Sequence, residues 1–228
     1  MTSLPATLSR DSIDFLKQLA ANNSKDWFDA NRKAYLDHIK APADSLKTEL
    51  AKSLSELTGQ QMKGKLFRVN RDLRFSKDKT PYNTHVRMAF WPDRDTFQGK
   101  QAQPPSFFLS IEADHIRLGA GCMAFSKPAH GQYLHLLETG SGEEITKLLE
   151  TLTTKDFARS EPDLVKPPRG FPKENTFVDL ARHKGLAVWT TLADVAPALG
   201  EKAPAVLTNA LAPTLPFWNW LVKLHEKA

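Results

Sequence analysis

The 228-residue chain holds a single cysteine, Cys122, so no internal disulfide can form, and a reducing compartment is expected. No run of about 18 apolar residues occurs; the most hydrophobic stretch, GLAVWTTLADVAPALG, is interrupted by Asp194 and Pro197. The opening MTSLPATLSR has no apolar segment of the secretory kind. These absences lead to the expectation of a cytoplasmic protein with no membrane partner. Phosphate-cradling G-x-x-x-x-G-K-[ST], a dinucleotide fingerprint, and HxxxH, HExxH or paired CxxC spacings are also missing, so no cofactor and no metal are expected. With no internal repeat, low-complexity tract or convincing linker, one domain over residues 1–228 is expected.

What is present is charge in one place. Residues 61–90 carry eight Lys or Arg against two acids, a local net of +6. The remaining chain has 23 basic and 24 acidic residues, a net of −1. The whole positive excess is therefore confined to this window, whereas a general polyanion binder more often spreads basic residues over several segments.

Hydrophobic spacing divides the chain into three parts. From Asp11 to Leu57 apolar residues recur every three or four positions, which predicts helices, with Asn22, Asn23 and Ser24 as a break and new cap and Pro42 in the first turn of a third helix. Beyond Gly64 the period becomes two. Phe67, Val69, Leu73 and Phe75 alternate with Arg68, Asn70, Asp72 and Arg74, and after the turn-rich SKDKTP a second alternation runs from His85 to Trp91. FFLSIE and HIRLGAGC follow, joined at Ala113 and Asp114, so an antiparallel sheet of about four or more strands is expected over about residues 64–122. Helices are predicted from Ser126 to about Glu138 and after Gly142 to about Leu152. Five Pro or Gly residues between Lys155 and Asn175 predict a long loop, and helices are expected to resume near Phe177 and to end in PFWNWLVKLHEK. The fold class is α+β: helices over about 10–58, the central sheet, then C-terminal helices over about 126–228. The aromatic stripe of the last segment, with Trp27 and Phe28, is read as core.

A hairpin around SKDKTPYNT would gather Arg68, Asn70, Asp72, Arg74, His85 and Arg87 on one face. Guanidinium forks suit carboxylates and phosphates because they offer paired hydrogen bonds. Arg71, Ser76, Lys77 and Lys79 extend the candidate ligand set, and Asp78, Tyr82 and His85 are candidate acids or bases. The bland alternative is a solvated sheet face in which Asp72 and Asp78 pair with neighbouring arginines. Ser76 and Lys79 have the S-x-x-K spacing, but Pro81 disfavours the helix that chemistry requires. His85, His115, Asp72 and Glu112 would approach one another in a meander, yet isolated strand histidines read better than a metal site. Cys122 is a candidate nucleophile beside His115 or His130, although free cysteines are more often buried hydrophobes.

The segment FRVNRDLRFSKDKTPYNTH, with NNSKDWFDANRKAYLDHIKAP upstream and PPRGF and ARHKG downstream, closely resembles a family of uncharacterised proteins, domain of unknown function 2461. The resemblance covers most of the chain and implies no activity. One departure follows PRGF, where the family often carries His-Pro and this chain carries Asn175 and Thr176. Three functions remain open from sequence. The first is a pocket for a small anionic ligand, covered by the loop around Arg169 to Phe171 and stabilising developing negative charge if it catalyses anything. The second is a nucleic-acid-binding module in which Phe67, Phe75 and Tyr82 stack bases. The third is a scaffold whose Arg, Asp and Lys side chains clamp the hairpin against the first helices. No oligomeric state follows from any of them.

Overall fold

Short polar side chains punctuate the N-terminal helices. The computed structural model describes residues 7–94, 103–140 and 142–227. Helix α1 (Arg10–Ala21) buries Ile13, Phe15, Leu16 and Leu19 along one face. Ser24 then accepts a hydrogen bond from Trp27 N (3.3 Å) and opens α2 (Lys25–Ala30), followed by α3 (Arg32–Tyr35). Pro42 stands in the first turn of a helix, as the sequence predicts, but no break precedes it. A π-helical turn, Leu36–Lys40, joins α3 to α4 (Ala41–Thr58), so the helix runs straight through the proline. Proline has no N–H to offer the carbonyl four residues back. That carbonyl, His38 O, accepts instead from the buried Ser12 hydroxyl at 2.5 Å, and the same hydroxyl oxygen accepts from Ser9 N at 3.0 Å. Gly59, at φ +67°, ends α4 in the left-handed conformation that glycine adopts at no steric cost.

The sheet comprises β1 (Met62–Leu66), β2 (Val86–Pro92), β3 (Ser106–Ile111), β4 (Ile116–Cys122), β5 (Ala158–Arg159) and β6 (Leu186–Leu192). It is a six-stranded antiparallel sheet in the order β1-β2-β3-β4-β6-β5, which fits the α+β expectation. Between β4 and β5 lie α5 (Lys127–Glu138), capped by Ser126, and α6 (Gly142–Thr153); α7 (Ala203–Leu211) and α8 (Leu215–Glu226) close the chain. Two local expectations are corrected. The alternating run Phe67–Phe75 is not a strand, for reasons given with the site. Where helices were expected to resume, there is only a 3-10 turn at Leu180–Arg182 before β6. The β6 sequence LAVWTTL is dense in β-branched and aromatic residues, and its buried start, Leu186 to Val188, matches a covered strand that lacks strict alternation.

Contacts divide the chain into two compact units. The first holds residues 1–90, 108–118 and 191–210; its core includes Phe15, Leu19, Leu50 and Leu54 from the helices and Met88, Phe90, Leu109 and Ile111 from the strands. The second holds residues 91–107, 119–190 and 211–228. Here Gly119 and Gly121 let β4 lie close to β6, since a Cβ at Gly119 would sit 2.1 Å from Val188 O. Phe217 and Trp218 of α8 are fully buried, with Trp218 stacked on Phe107 at 5.1 Å, so the C-terminal stripe is core as expected. Among the described residues no helix is long and apolar enough to cross a membrane.

Candidate functional site

Residues 67–85 form an irregular hairpin instead of two paired strands. Asn70 and Tyr82 make its one isolated bridge, with Arg71 N donating to Pro81 O (2.9 Å) and Asn83 N to Val69 O (2.7 Å). Phe67 N donates to Arg87 O at 2.9 Å, so four residues, 83–86, span what 68 and 69 span on the opposite limb. That surplus carries His85 out of the ladder. The expected apolar face is not buried either, because Phe67 is 41% and Phe75 94% exposed. The cause is local. Asp72 Oδ1 accepts from Arg74 N (3.2 Å) and Asp78 Oδ1 from Thr80 N (2.9 Å), turns that bind backbone N–H groups a ladder would need, while Pro81 has none to give.

Arg71 is the hub of this loop, with a side chain 23% exposed. Its Nη1 donates to Asp78 Oδ2 (2.5 Å), to Thr80 O (3.1 Å) and to the Thr80 hydroxyl, and its Nη2 to Ser76 Oγ (3.3 Å). Four acceptors from three residues converge on one guanidinium, which a planar five-donor group can satisfy. Arg74 differs. It is 77% exposed, forks onto Asp72 (Nε–Oδ1 3.0 Å, Nη2–Oδ2 2.7 Å) and lies over the Phe75 ring, 5.8 Å from its centroid. The Lys79 ammonium donates to Leu73 O at 3.0 Å, and Arg68, Lys77 and Arg87 are exposed. Asp72 is held down at about 2 by the Arg74 side chain, and Asp78 at about 2 by Thr80 N and then Arg71, so both carboxyls stay ionised.

Tyr82 ties the loop to the helices of the same unit. The Asn23 side chain acts as a piece of backbone, donating Nδ2–H to Tyr82 O (2.9 Å) while its Oδ1 accepts from Tyr82 N (3.0 Å). The Tyr82 ring stacks on Phe28 at 4.0 Å and is 6% exposed, and desolvation raises its phenol pKa. Asn23→Ala is expected to cost about 1–3 kcal/mol in urea unfolding because it leaves a donor and an acceptor unmade. A cost under about 0.5 kcal/mol would mean that the stacked ring alone anchors the loop. Sequence spacing picked out Tyr82 but not this role of Asn23 or that of Thr80; the Asp-x-Thr spacing of Asp78 and Thr80 was the available signal.

The remaining candidates do not converge. His85 Nδ1 lies 3.6 Å from Glu112 Oε2, and burial lowers its pKa. Of the imagined metal set these two meet, whereas His115 Nδ1 pairs with Asp114 (2.7 Å) and Asp72 with Arg74. Cys122 is buried beside His225 (Sγ to Nε2 3.6 Å), not His115 or His130 as weighed from sequence, and burial pushes its thiol up to about 12. A thiol so poorly ionised is a weak nucleophile. Ser76 and Lys79 lie outside any helix, so the S-x-x-K geometry is not formed.

Three cavities accompany this geometry. One, lined by Phe15, Tyr35, Phe67, Asn83 and His85 among others, has room for about one water, at 10 Å³. The others, of 280 and 470 Å³, are lined by residues of the Leu8–Glu49–Glu201 region and of the Glu150–Arg159–Asp179 region. None of the three is lined by Arg68, Arg71, Arg74, Lys77, Lys79 or Arg87. A family model now decides the kinship, since it matches residues 11–220. The chain belongs to the DUF2461 family. The description of DUF2461 is that of a conserved hypothetical protein, so membership names no reaction. No curated protein matches the chain. The Asn175 side chain of this DUF2461 member accepts from Phe177 N (2.7 Å) and donates to Leu137 O (3.2 Å), a structural use.

Proposed function

We propose that the loop from Arg68 to Thr80 binds a phosphate- or carboxylate-bearing partner on its outer surface. Arg71, Asp78, Ser76 and Thr80 form the frame, and Arg68, Lys77, Lys79 and the neighbouring Arg87 meet the partner's negative groups. What carries the reading is an imbalance. Arg71 and Asp78 neutralise each other inside the loop and Arg74 and Asp72 outside it, yet among the described residues no carboxylate lies within ion-pairing distance of Arg68, Lys77, Lys79 or Arg87. The Lys79 bond to a carbonyl fixes its position and leaves its charge uncompensated. A frame held by its own hydrogen bonds spares the partner the cost of ordering the loop. An outer surface is favoured because Arg68, Lys77, Lys79 and Arg87 are exposed and none of the three cavities described above is lined by them.

The reading is of a binding element. Asp78 is ionised by its hydrogen bonds, Tyr82 has its ring against Phe28, and His85 is turned to Glu112, so each candidate acid or base is already engaged by a neighbour. Calorimetric titration with inorganic tripolyphosphate over a range of salt tests it. Affinity is expected to fall steadily as salt rises, since exposed charge pairs are screened over about 10 Å at 0.1 M. Affinity that is flat with salt, or binding that Arg68→Ala and Lys77→Ala together leave untouched, would contradict it.

A further inference from the structure

Phe75 is 94% exposed in the middle of the cationic loop, with the Arg74 guanidinium 5.8 Å from its ring centroid. Phe67, where the same segment begins, is 41% exposed, and the Lys65 ammonium lies 5.0 Å from its ring centroid. A phenylalanine ring carries one of the largest apolar surfaces among side chains, and its exposure leaves a flat π face open to a stacking partner. Two such rings, each with its own cation, sit in the window of net charge +6. From this we infer that the partner is single-stranded nucleic acid, its bases stacking on Phe75 and Phe67 while Arg68, Lys77, Lys79 and Arg87 contact its phosphates. The inference rests on the anion-binding reading above and specifies its partner.

The chemistry selects among anions. A small phosphate or a dicarboxylate uses the cations and leaves the rings in water. Duplex nucleic acid offers phosphates, but its bases are already stacked on one another. An unpaired strand repeats one negative charge and one π face per nucleotide, which is the pairing that the loop presents. At 94% exposure the Phe75 ring is open to a base despite the nearby Arg74, and the Lys65 ammonium stands over one face of Phe67 and leaves the other for a second base. The four cations without a carboxylate partner predict a slope of log K against log salt of about −3 on a single strand.

Fluorescence anisotropy with a labelled oligothymidylate of about 12 nucleotides, the abasic deoxyribose-phosphate strand of equal length and a duplex tests the inference. Wild type is expected to prefer the oligothymidylate over the abasic strand by roughly tenfold or more. Phe75→Ala is expected to remove most of that preference without lowering the unfolding midpoint, since so exposed a ring contributes little to packing. Equal, salt-dependent binding of both strands, untouched by Phe75→Ala, overturns base stacking and leaves anion binding standing. So does tripolyphosphate binding with no binding of either strand. Tighter binding of the duplex overturns the single-strand assignment. If neither strand nor tripolyphosphate binds, both readings fall.

Discussion

Arg71→Ala is expected to lower stability by about 2 kcal/mol, while Arg74→Ala changes it by less than about 0.5 kcal/mol. Both are arginines paired with an aspartate, three positions apart in one motif, so the contrast rests on geometry alone. Removing the Arg71 guanidinium leaves Thr80 O, the Thr80 and Ser76 hydroxyls and Asp78 without their shared donor, in a place where the arginine itself is 23% exposed. Removing Arg74 breaks a fork that is 77% exposed on the arginine side, and water replaces it. The sequence-level idea of a clamp in which Arg74 holds the hairpin to the first helices predicts a loss of about 3–5 kcal/mol instead. In a chain of this length 2 kcal/mol moves the thermal midpoint by about 4–8 °C, so a melting comparison resolves the two variants. Arg71→Lys is expected to recover less than half of the loss, because one ammonium cannot reach acceptors spread across a planar fork. Equal midpoints for Arg71→Ala and Arg74→Ala would remove Arg71 from its place as the hub.

Acidification from pH 6.5 to 4 is expected to destabilise the protein by roughly 3 kcal/mol through His183. Its ring is fully buried, and among the described residues neither Nδ1 nor Nε2 has a hydrogen-bond partner. Burial, and secondarily Arg159, pushes its pKa down to about 4, against the opposing pull of Asp163 and Asp179, with Arg182 also lowering it. The sign follows from which state holds more protons. Unfolded chain takes up a proton near 6.5 and folded chain near 4, so stability is intact above 6.5, falls through the interval and levels off below it. The backbone on either side of His183 is strapped down. Leu164 N donates to Arg182 O (3.0 Å), Arg182 Nε to Leu164 O (2.8 Å) and Lys184 N to Asp163 Oδ2 (2.7 Å). Urea unfolding of His183→Leu against pH should show a flatter curve over this interval, with the residual slope left to His85 and His225, whose pKa values are also lowered by burial. Below pH 4 the loss passes to Asp72 and Asp78 in both proteins, as each carboxyl protonates toward its value of about 2. A wild-type curve that His183→Leu reproduces would show that the buried ring is not what titrates.

Helices and hairpin turns were readable where a local rule decides them. Ser24 and Ser126 each cap a helix, Gly59 ends one, and Val86 to Phe90, Phe107 to Ile111 and Ile116 to Cys122 lie in strands. The misreadings occurred where long-range partners overrode a local rule. The unbroken join before Pro42 was missed because nothing near it in sequence shows that Ser12 will satisfy His38 O. The run from Phe67 to Phe75 alternates with a two-residue period that only Arg71 interrupts, and Asp72, Asp78 and Pro81 defeat it by binding or lacking the N–H groups a strand would use. β6 was lost for a different reason, since a covered strand reads as a plain apolar run. For the site, the window itself was legible from charge. The division of labour within it was not, because Arg71 and Arg74 look alike until the fold shows which one its neighbours surround.

The most direct measurement is the affinity of Arg68→Ala/Lys77→Ala/Arg87→Ala for inorganic tripolyphosphate, taken beside its urea midpoint. All three side chains are exposed, and among the described residues no carboxylate lies at ion-pair distance from them. The expected result is a loss of affinity of at least about tenfold with a midpoint within about 0.5 kcal/mol of wild type. Wild-type affinity in the triple variant would contradict a cationic surface held on a self-bonded frame.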